Sequence, residues 1–208
     1  MFEELREAVV EGQMNVAVAK VRQGLADGVD AGTLLREGLI AAMAVVGQLY
    51  EDGEIFVPEM LVAARAMNGA LAELKPHLVE QGVAPSGKVA IGTVQGDLHD
   101  IGKNLVAMML EGSGYEIVDL GVDVAPDKFI RAIRDGVDVV AMSALLTTTM
   151  THMQTTVSAI QGAGLRDQAR IIIGGAPITK TYADEIGADG YAIDASSAVR
   201  LVREVLAG

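Results

Sequence analysis

The 208-residue chain has no cysteine and no tryptophan, only three phenylalanines and four tyrosines, and few basic side chains. Without cysteine there are no disulfides, no thiolate-held zinc, no iron–sulfur clusters and no thiol nucleophiles. Any metal must therefore be held by histidine, by carboxylates or inside a prosthetic group. With aromatics at 3%, the core has to be built from Ala, Val, Leu, Ile and the 10 Met, while 24 Gly let elements approach closely. Lysine and arginine total 16 against 28 acidic residues, giving a formal net charge of −12 with no basic cluster to offset it. Such a field repels phosphate backbones and argues against nucleic acid as a partner. No uninterrupted apolar run approaches the ~18 residues of a membrane span. The charged start, MFEELREAVVEGQ, lacks a secretory pattern. The expectation is a cytoplasmic protein with no membrane contact.

What is present divides into two halves with different periods. Up to about residue 81 the apolar positions recur at helical spacing. Leu5, Val9 and Val10 mark a first short helix, Val16 to Ala26 a second, Leu34 to Tyr50 a third and Pro58 to Val79 a fourth, with Gly-containing acidic turns between them. This predicts an antiparallel four-helix bundle. The segment QGVAPSG (81–87) then clusters Gly, Pro and Ser, and beyond it the pattern changes, which places a boundary between residues 1–86 and 87–208.

In the second half, KVAIGTV (88–94), YEIVDLG (115–121), VDVVAMS (137–143), RIIIGG (170–175) and DGYAID (189–194) have the length and apolar content of strands. Helix-length stretches separate them. Strand–helix alternation with nearly continuous apolar strands predicts an α/β, flavodoxin-like (Rossmann-type) five-stranded parallel sheet, covered on both faces. Ligands of such sheets bind beyond the carboxyl ends of the strands. Three of those ends are polar or glycine-rich: Gln95 to Asn104 after the first strand, Ser143 to Thr149 after the third, and Gly174, Gly175 after the fourth.

His99 is the chemical centre of this crevice. A lone histidine after a strand is commonly a hydrogen-bonded structural residue, but Asp97 two positions earlier can accept a proton from one ring nitrogen and leave the other free to coordinate. One His with one or two Asp makes a poor site for a bare zinc ion, whereas a metal already caged in a macrocycle needs only an axial ligand. That comparison favours a tetrapyrrole-type cofactor. Gly102, Gly174 and Gly175 leave room for a ligand to pass, unless they are ordinary turn and packing glycines. Ser143 and Thr147 can hydrogen-bond a ligand or the His–Asp pair, or cap the next helix.

These residues carry a resemblance. Asp97-x-His99-x-x-Gly102, then Ser143-x-Leu145, then Gly174-Gly175, within the longer string GTVQGDLHDIGKNLV, is similar to the signature of cobalamin-binding domains of the type found in cobalamin-dependent methionine synthase and in corrinoid proteins of anaerobic methyltransferase systems. The segment from Tyr50 to Met60 resembles the helical cap of that family. The resemblance implies a cobalamin, cycling between methylcobalamin and cob(I)alamin, or a related corrinoid. It would be bound with its own base displaced and with His99 as the axial ligand to cobalt. Asp97 would hold the far imidazole nitrogen, and Ser143 would extend the relay. Gly96, Leu98, Asp100, Ile101, Gly102, Leu145, Thr147, Gly174 and Gly175 would line the cofactor and its nucleotide tail, and Tyr50, Val57 and Met60 of the cap would lie nearest the methyl group.

The function implied is a methyl carrier working between a substrate:corrinoid methyltransferase and a methylcorrinoid:tetrahydrofolate or thiol methyltransferase, with a corrinoid reductive activase as a further partner. The resemblance leaves open whether the chain acts on any substrate alone. Two relatives in motif are the alternatives: the cobalamin subunit of an adenosylcobalamin-dependent mutase, which would lack this cap, and a cobalamin-sensing regulatory protein, which would need a basic helix-turn-helix that residues 1–30 do not offer. A receiver-like domain using Asp97 and Asp100 would leave the Ser-x-Leu and Gly-Gly elements without purpose.

Overall fold

The computed structural model describes residues 1–207 and divides them into two compact units. The first comprises Met1–Ser86 with Glu111–Gly114, and the second Gly87–Leu110 with Tyr115 onward.

The first unit is helical: Phe2–Val10, Met14–Ala26, Ala31–Glu51 and Val57–Glu80. Two of the helix starts have a local cause in side-chain capping. Asp30 caps the third, its carboxylate accepting from the Thr33 amide at 2.8 Å. The fourth opens with Pro58 in its first turn, and the Glu59 carboxylate reaches back to the Phe56 amide at 3.1 Å. Within the third helix, Leu34–Ile40 is wound as π-helix. The same helix, Ala31–Glu51, is long and apolar enough by length and composition to cross a membrane. Leu34, Leu39, Ala42 and Val46 on it are fully enclosed by protein, as in the core helix of a folded unit.

The second unit is a five-stranded parallel sheet of β1 Lys88–Val94, β2 Glu116–Val124, β3 Val139–Ser143, β4 Arg170–Gly174 and β5 Gly190–Ala192, in the order β2-β1-β3-β4-β5. Strand residues alternate between two cores. Ala90, Val94, Val140, Met142, Ile171 and Ile173 pack with Phe129, Met153 and Ile160 on one face. Val89, Ile91, Val139, Ala141 and Ile172 pack with Leu110, Tyr115 and Val202 on the other. Burial on both faces explains the unbroken apolar runs of β1, β3 and β4. β2 is one of the two edge strands, and only its last residue is buried. Its pairing with β1 is irregular: Ile91, Gly92 and Val94 face Asp119, Gly121 and Val124, so β2 carries two extra residues. The strand order sets the carboxyl ends of β1, β3 and β4 side by side, which brings the three marked loops together.

Candidate functional site

The loop between β1 and the helix Ile101–Gly112 is organised around Asp97, whose side chain has no exposure to solvent. Its Oδ1 accepts from the His99 amide at 3.1 Å and lies 2.6 Å from His99 Nδ1. Its Oδ2 accepts from the Leu145 amide at 2.8 Å and from the Thr149 hydroxyl at 2.8 Å. Burial alone would raise the Asp97 pKa, but the Leu145 and His99 amides, the His99 ring and the Thr149 hydroxyl together outweigh it and hold the carboxyl well below the usual carboxylate range. An ionised Asp97 can only accept, so the proton of neutral His99 sits on Nδ1 and Nε2 keeps its lone pair. The His99 side chain is 50% exposed, with Nε2 making no hydrogen bond to any described residue.

Thr149 thus holds the relay position that the sequence suggested for Ser143. Ser143 ends β3 in register with Thr93 and Gly174 and makes no hydrogen bond to Asp97. The backbone turn from Ala144 to Leu146 aims the Leu145 amide and, six residues after Ser143, the Thr149 hydroxyl at the carboxylate. A run of three threonines gives no sign of which one turns inward. Thr147 is exposed, whereas Thr149 is buried.

Around His99 the loops expose large aliphatic side chains: Leu98 at 72%, Ile101 at 84%, and Leu145 and Leu146 at 43% each. An apolar rim of this kind marks a binding surface. Gly96 and Asp100 are also exposed. A side chain at Gly102 would meet no protein atom within 4 Å, so the space before this helix turn is open. Gly175 is the opposite case: at φ +131°, a Cβ there would lie 1.9 Å from the Ala144 carbonyl oxygen, so only glycine lets the loops after β3 and β4 close up. Gly174 sits more loosely, its Cβ position 3.0 Å from the Ala192 carbonyl.

Two further features escaped sequence reasoning. Lys103, 3% exposed, places Nζ 2.7 Å from both oxygens of Asp119 and from Asn104 Oδ1, tying the first turn of its helix to β2. Burial alone would raise the Asp119 pKa, but the Lys103 ammonium and the Gly121 amide hold it below its usual value. His152, which opens the next helix on the β3 side, brings its ring beside Gly96.

In the helical unit, Tyr50 is half-buried near the end of Ala31–Glu51, and Val57 is 39% exposed at the start of Val57–Glu80, next to the more exposed Phe56. Met60 is fully enclosed. The surface at this helix start is therefore made by Phe56 and Val57, and Met60 offers none.

Among the described residues no group of three or more His, Asp or Glu could hold a metal ion. A single imidazole with one fixed tautomer, a free Nε2 and an apolar rim suits a metal that arrives already caged in a large, flat ligand. Fold and site define a macrocycle-binding α/β protein with a helical companion unit.

Comparison with known proteins gives the family. The B12 binding domain model matches residues 87–200, and a second model with the same description matches residues 1–75. The chain belongs to the family of B12-binding corrinoid proteins, and its cofactor is a cobalamin or related corrinoid. It is 39% identical to the trimethylamine corrinoid protein of Methanosarcina barkeri over 97% of this chain and 94% of that protein. It is 35% identical to a corrinoid protein of Desulfitobacterium hafniense over 99% of this chain and 97% of that one. Among solved structures, a chain of the methanol:cobalamin methyltransferase complex MtaBC from Methanosarcina barkeri superposes with a TM-score of 0.86 at 28% identity, covering 99% of this chain and 79% of that one.

Proposed function

We propose that the protein is a methyl carrier that binds its corrinoid with the nucleotide base displaced and His99 on cobalt. It would collect a methyl group from a substrate:corrinoid methyltransferase and present it to a second methyltransferase whose acceptor is tetrahydrofolate or a thiol, with a corrinoid reductive activase keeping it in service. The observation that carries this reading is the His99–Asp97 contact of 2.6 Å on a carboxylate without solvent exposure. The names of the relatives, a trimethylamine corrinoid protein and a methanol:cobalamin methyltransferase complex, support a small methylated amine or alcohol as the methyl source.

When bound, the corrinoid supplies a cobalt centre that accepts and releases the methyl group. The chain's own residues do the rest. His99 Nε2 would be the donor toward the cobalt, its basicity raised by the Nδ1 proton shared with Asp97. Thr149 and the Leu145 amide keep Asp97 charged, so it remains an acceptor for the Nδ1–H of a neutral His99. Leu98, Ile101, Leu145 and Leu146, exposed around His99, would furnish apolar contact to the bound ring and exclude water. Gly102, Gly174, Gly175, Ser143 and Thr147 are assigned to the path of the nucleotide tail. The helical unit is assigned the role of cap, with Tyr50 and Val57 as its contact side chains. Faster bleaching of the loaded Tyr50→Ala protein in light would support that role.

The test is reconstitution with hydroxocobalamin, reduction to cobalt(II), and electron paramagnetic resonance with and without ¹⁵N-histidine labelling. A nitrogen splitting that responds to the label and disappears in His99→Ala supports the assignment. Retention of the cofactor's own benzimidazole on the metal overturns it. Methyl uptake is then assayed by incubating the reduced, loaded protein with trimethylamine or methanol and the cognate methyltransferase. Failure with every methylated amine and alcohol would reject the carrier role.

A further inference from the structure

The end of the edge strand β2 is deformed at the point where it meets the His99 loop. Over the stretch in which β1 advances three residues, from Ile91 to Val94, β2 advances five, from Asp119 to Val124. Two residues in this stretch adopt left-handed backbone: Gly121 at φ +87° and Asp123 at φ +51°. Asp123 is the only non-glycine residue with positive φ among those described. Bulges re-aim strand residues and gather beside functional sites, and a non-glycine residue at positive φ persists only where its surroundings hold it.

What the deformation achieves is specific. The Asp123 carboxylate accepts from the Gly96 amide at 2.7 Å, and the Asp123 amide donates to the Asp97 carbonyl at 3.0 Å. One residue of β2 thereby grips the backbone on both sides of the Gly96–Asp97 peptide, immediately before the pair that sets the His99 tautomer. Asp97 is held further by its own amide, which donates to the Val94 carbonyl at 3.1 Å, and by its Oδ2, which accepts from the Leu145 amide and the Thr149 hydroxyl. The Thr93 hydroxyl donates to the His99 carbonyl at 2.7 Å, and Asn104 holds Asp100, but none of these ties reaches the Gly96 amide. Without Asp123, the Gly96 amide loses its acceptor at a glycine already at φ +81°.

We infer that Asp123 is a positioning residue for His99: it fixes the loop from the neighbouring strand so that the imidazole is presented in one orientation. The inference rests on the reading of His99 as axial ligand, but the clamp itself can be tested without cofactor. Asp123→Gly accepts the left-handed backbone and removes only the side-chain acceptor. Asp123→Asn also tolerates that backbone and retains an acceptor oxygen. Thermal melting of both apo proteins checks that they fold, with Asp123→Ala, which also lacks an acceptor, as the replacement if the glycine variant does not.

In the apo protein, hydrogen exchange at the Gly96 amide is expected to accelerate roughly tenfold or more in Asp123→Gly and to stay near wild type in Asp123→Asn. In the cobalamin-loaded cobalt(II) protein, the share of molecules showing the histidine nitrogen splitting should fall in Asp123→Gly and be restored in Asp123→Asn. Unchanged Gly96 exchange in Asp123→Gly overturns the clamp. Faster exchange with an undiminished nitrogen splitting overturns the positioning role. A wild-type protein with no histidine nitrogen on cobalt instead removes the axial assignment, and the Gly96 exchange still decides whether Asp123 holds the loop.

Discussion

Gly102 and Gly175 offer a direct comparison, because the structure assigns opposite reasons for the missing side chain. Gly102 is the second residue of the helix Ile101–Gly112 and exposed, and an added methyl would meet no protein atom within 4 Å. In the apo protein, Gly102→Ala should be neutral or stabilising by up to about 1 kcal/mol, since alanine loses less backbone entropy than glycine in a helix. If the corrinoid tail occupies that open space, the same methyl must push it aside. Overpacking of one methyl costs about 1–3 kcal/mol, which corresponds to roughly 5- to 150-fold weaker uptake. Gly175→Ala reverses the pattern: its Cβ would lie 1.9 Å from the Ala144 carbonyl oxygen in a left-handed backbone, so folding itself should suffer. Chemical denaturation of the apo proteins measures the first effect, and absorbance titration with hydroxocobalamin the second. A Gly102→Ala protein that binds hydroxocobalamin as tightly as wild type would refute the placement of ligand against this glycine.

Three other outcomes follow from the same geometry. Thr149→Ala removes one of the donors to a buried carboxylate and should cost about 1–3 kcal/mol in denaturation of the apo protein, with Thr149→Ser restoring most of it and Ser143→Ala costing less than Thr149→Ala. Asp119→Ala leaves the nearly buried Lys103 ammonium with only Asn104, at a cost of about 3 kcal/mol, the low end for a broken buried pair because Asp119 itself is 47% exposed. The Asp119 pKa is depressed in the folded state, so its contribution is present above the ordinary aspartate value of 3.8 and is lost as pH falls through the lower folded value. The stability gap between wild type and Asp119→Ala should therefore be full at neutral pH and narrow below about pH 4, and a gap that widens in acid would contradict the ion pair.

Much of this was legible in the sequence because the signals were local. The apolar runs of β1, β3 and β4 are continuous since both faces of the sheet are covered, and the helix-length stretches between the strands hold the crossover helices. Asp97 and His99 are two residues apart, so their contact could be anticipated. The features that were missed depend on distance or on backbone irregularity. Gly121 reads as the end of a strand, yet β2 continues to Val124 through its bulges, which hides the part played by Asp123. Thr149 reaches Asp97 across 52 positions of chain, and only the turn after β3 selects it from its neighbours. The π-wound segment Leu34–Ile40 has no residue pattern that separates it from ordinary helix.

The carboxylate of Asp97 has one broader consequence. All of its solvation is replaced by protein donors, which hold both of its oxygens. The work of stripping water from this anion and selecting one imidazole tautomer is therefore done once, during folding of the sheet. With His99 as the proposed axial ligand, an incoming macrocycle would meet a base whose tautomer the protein has already set.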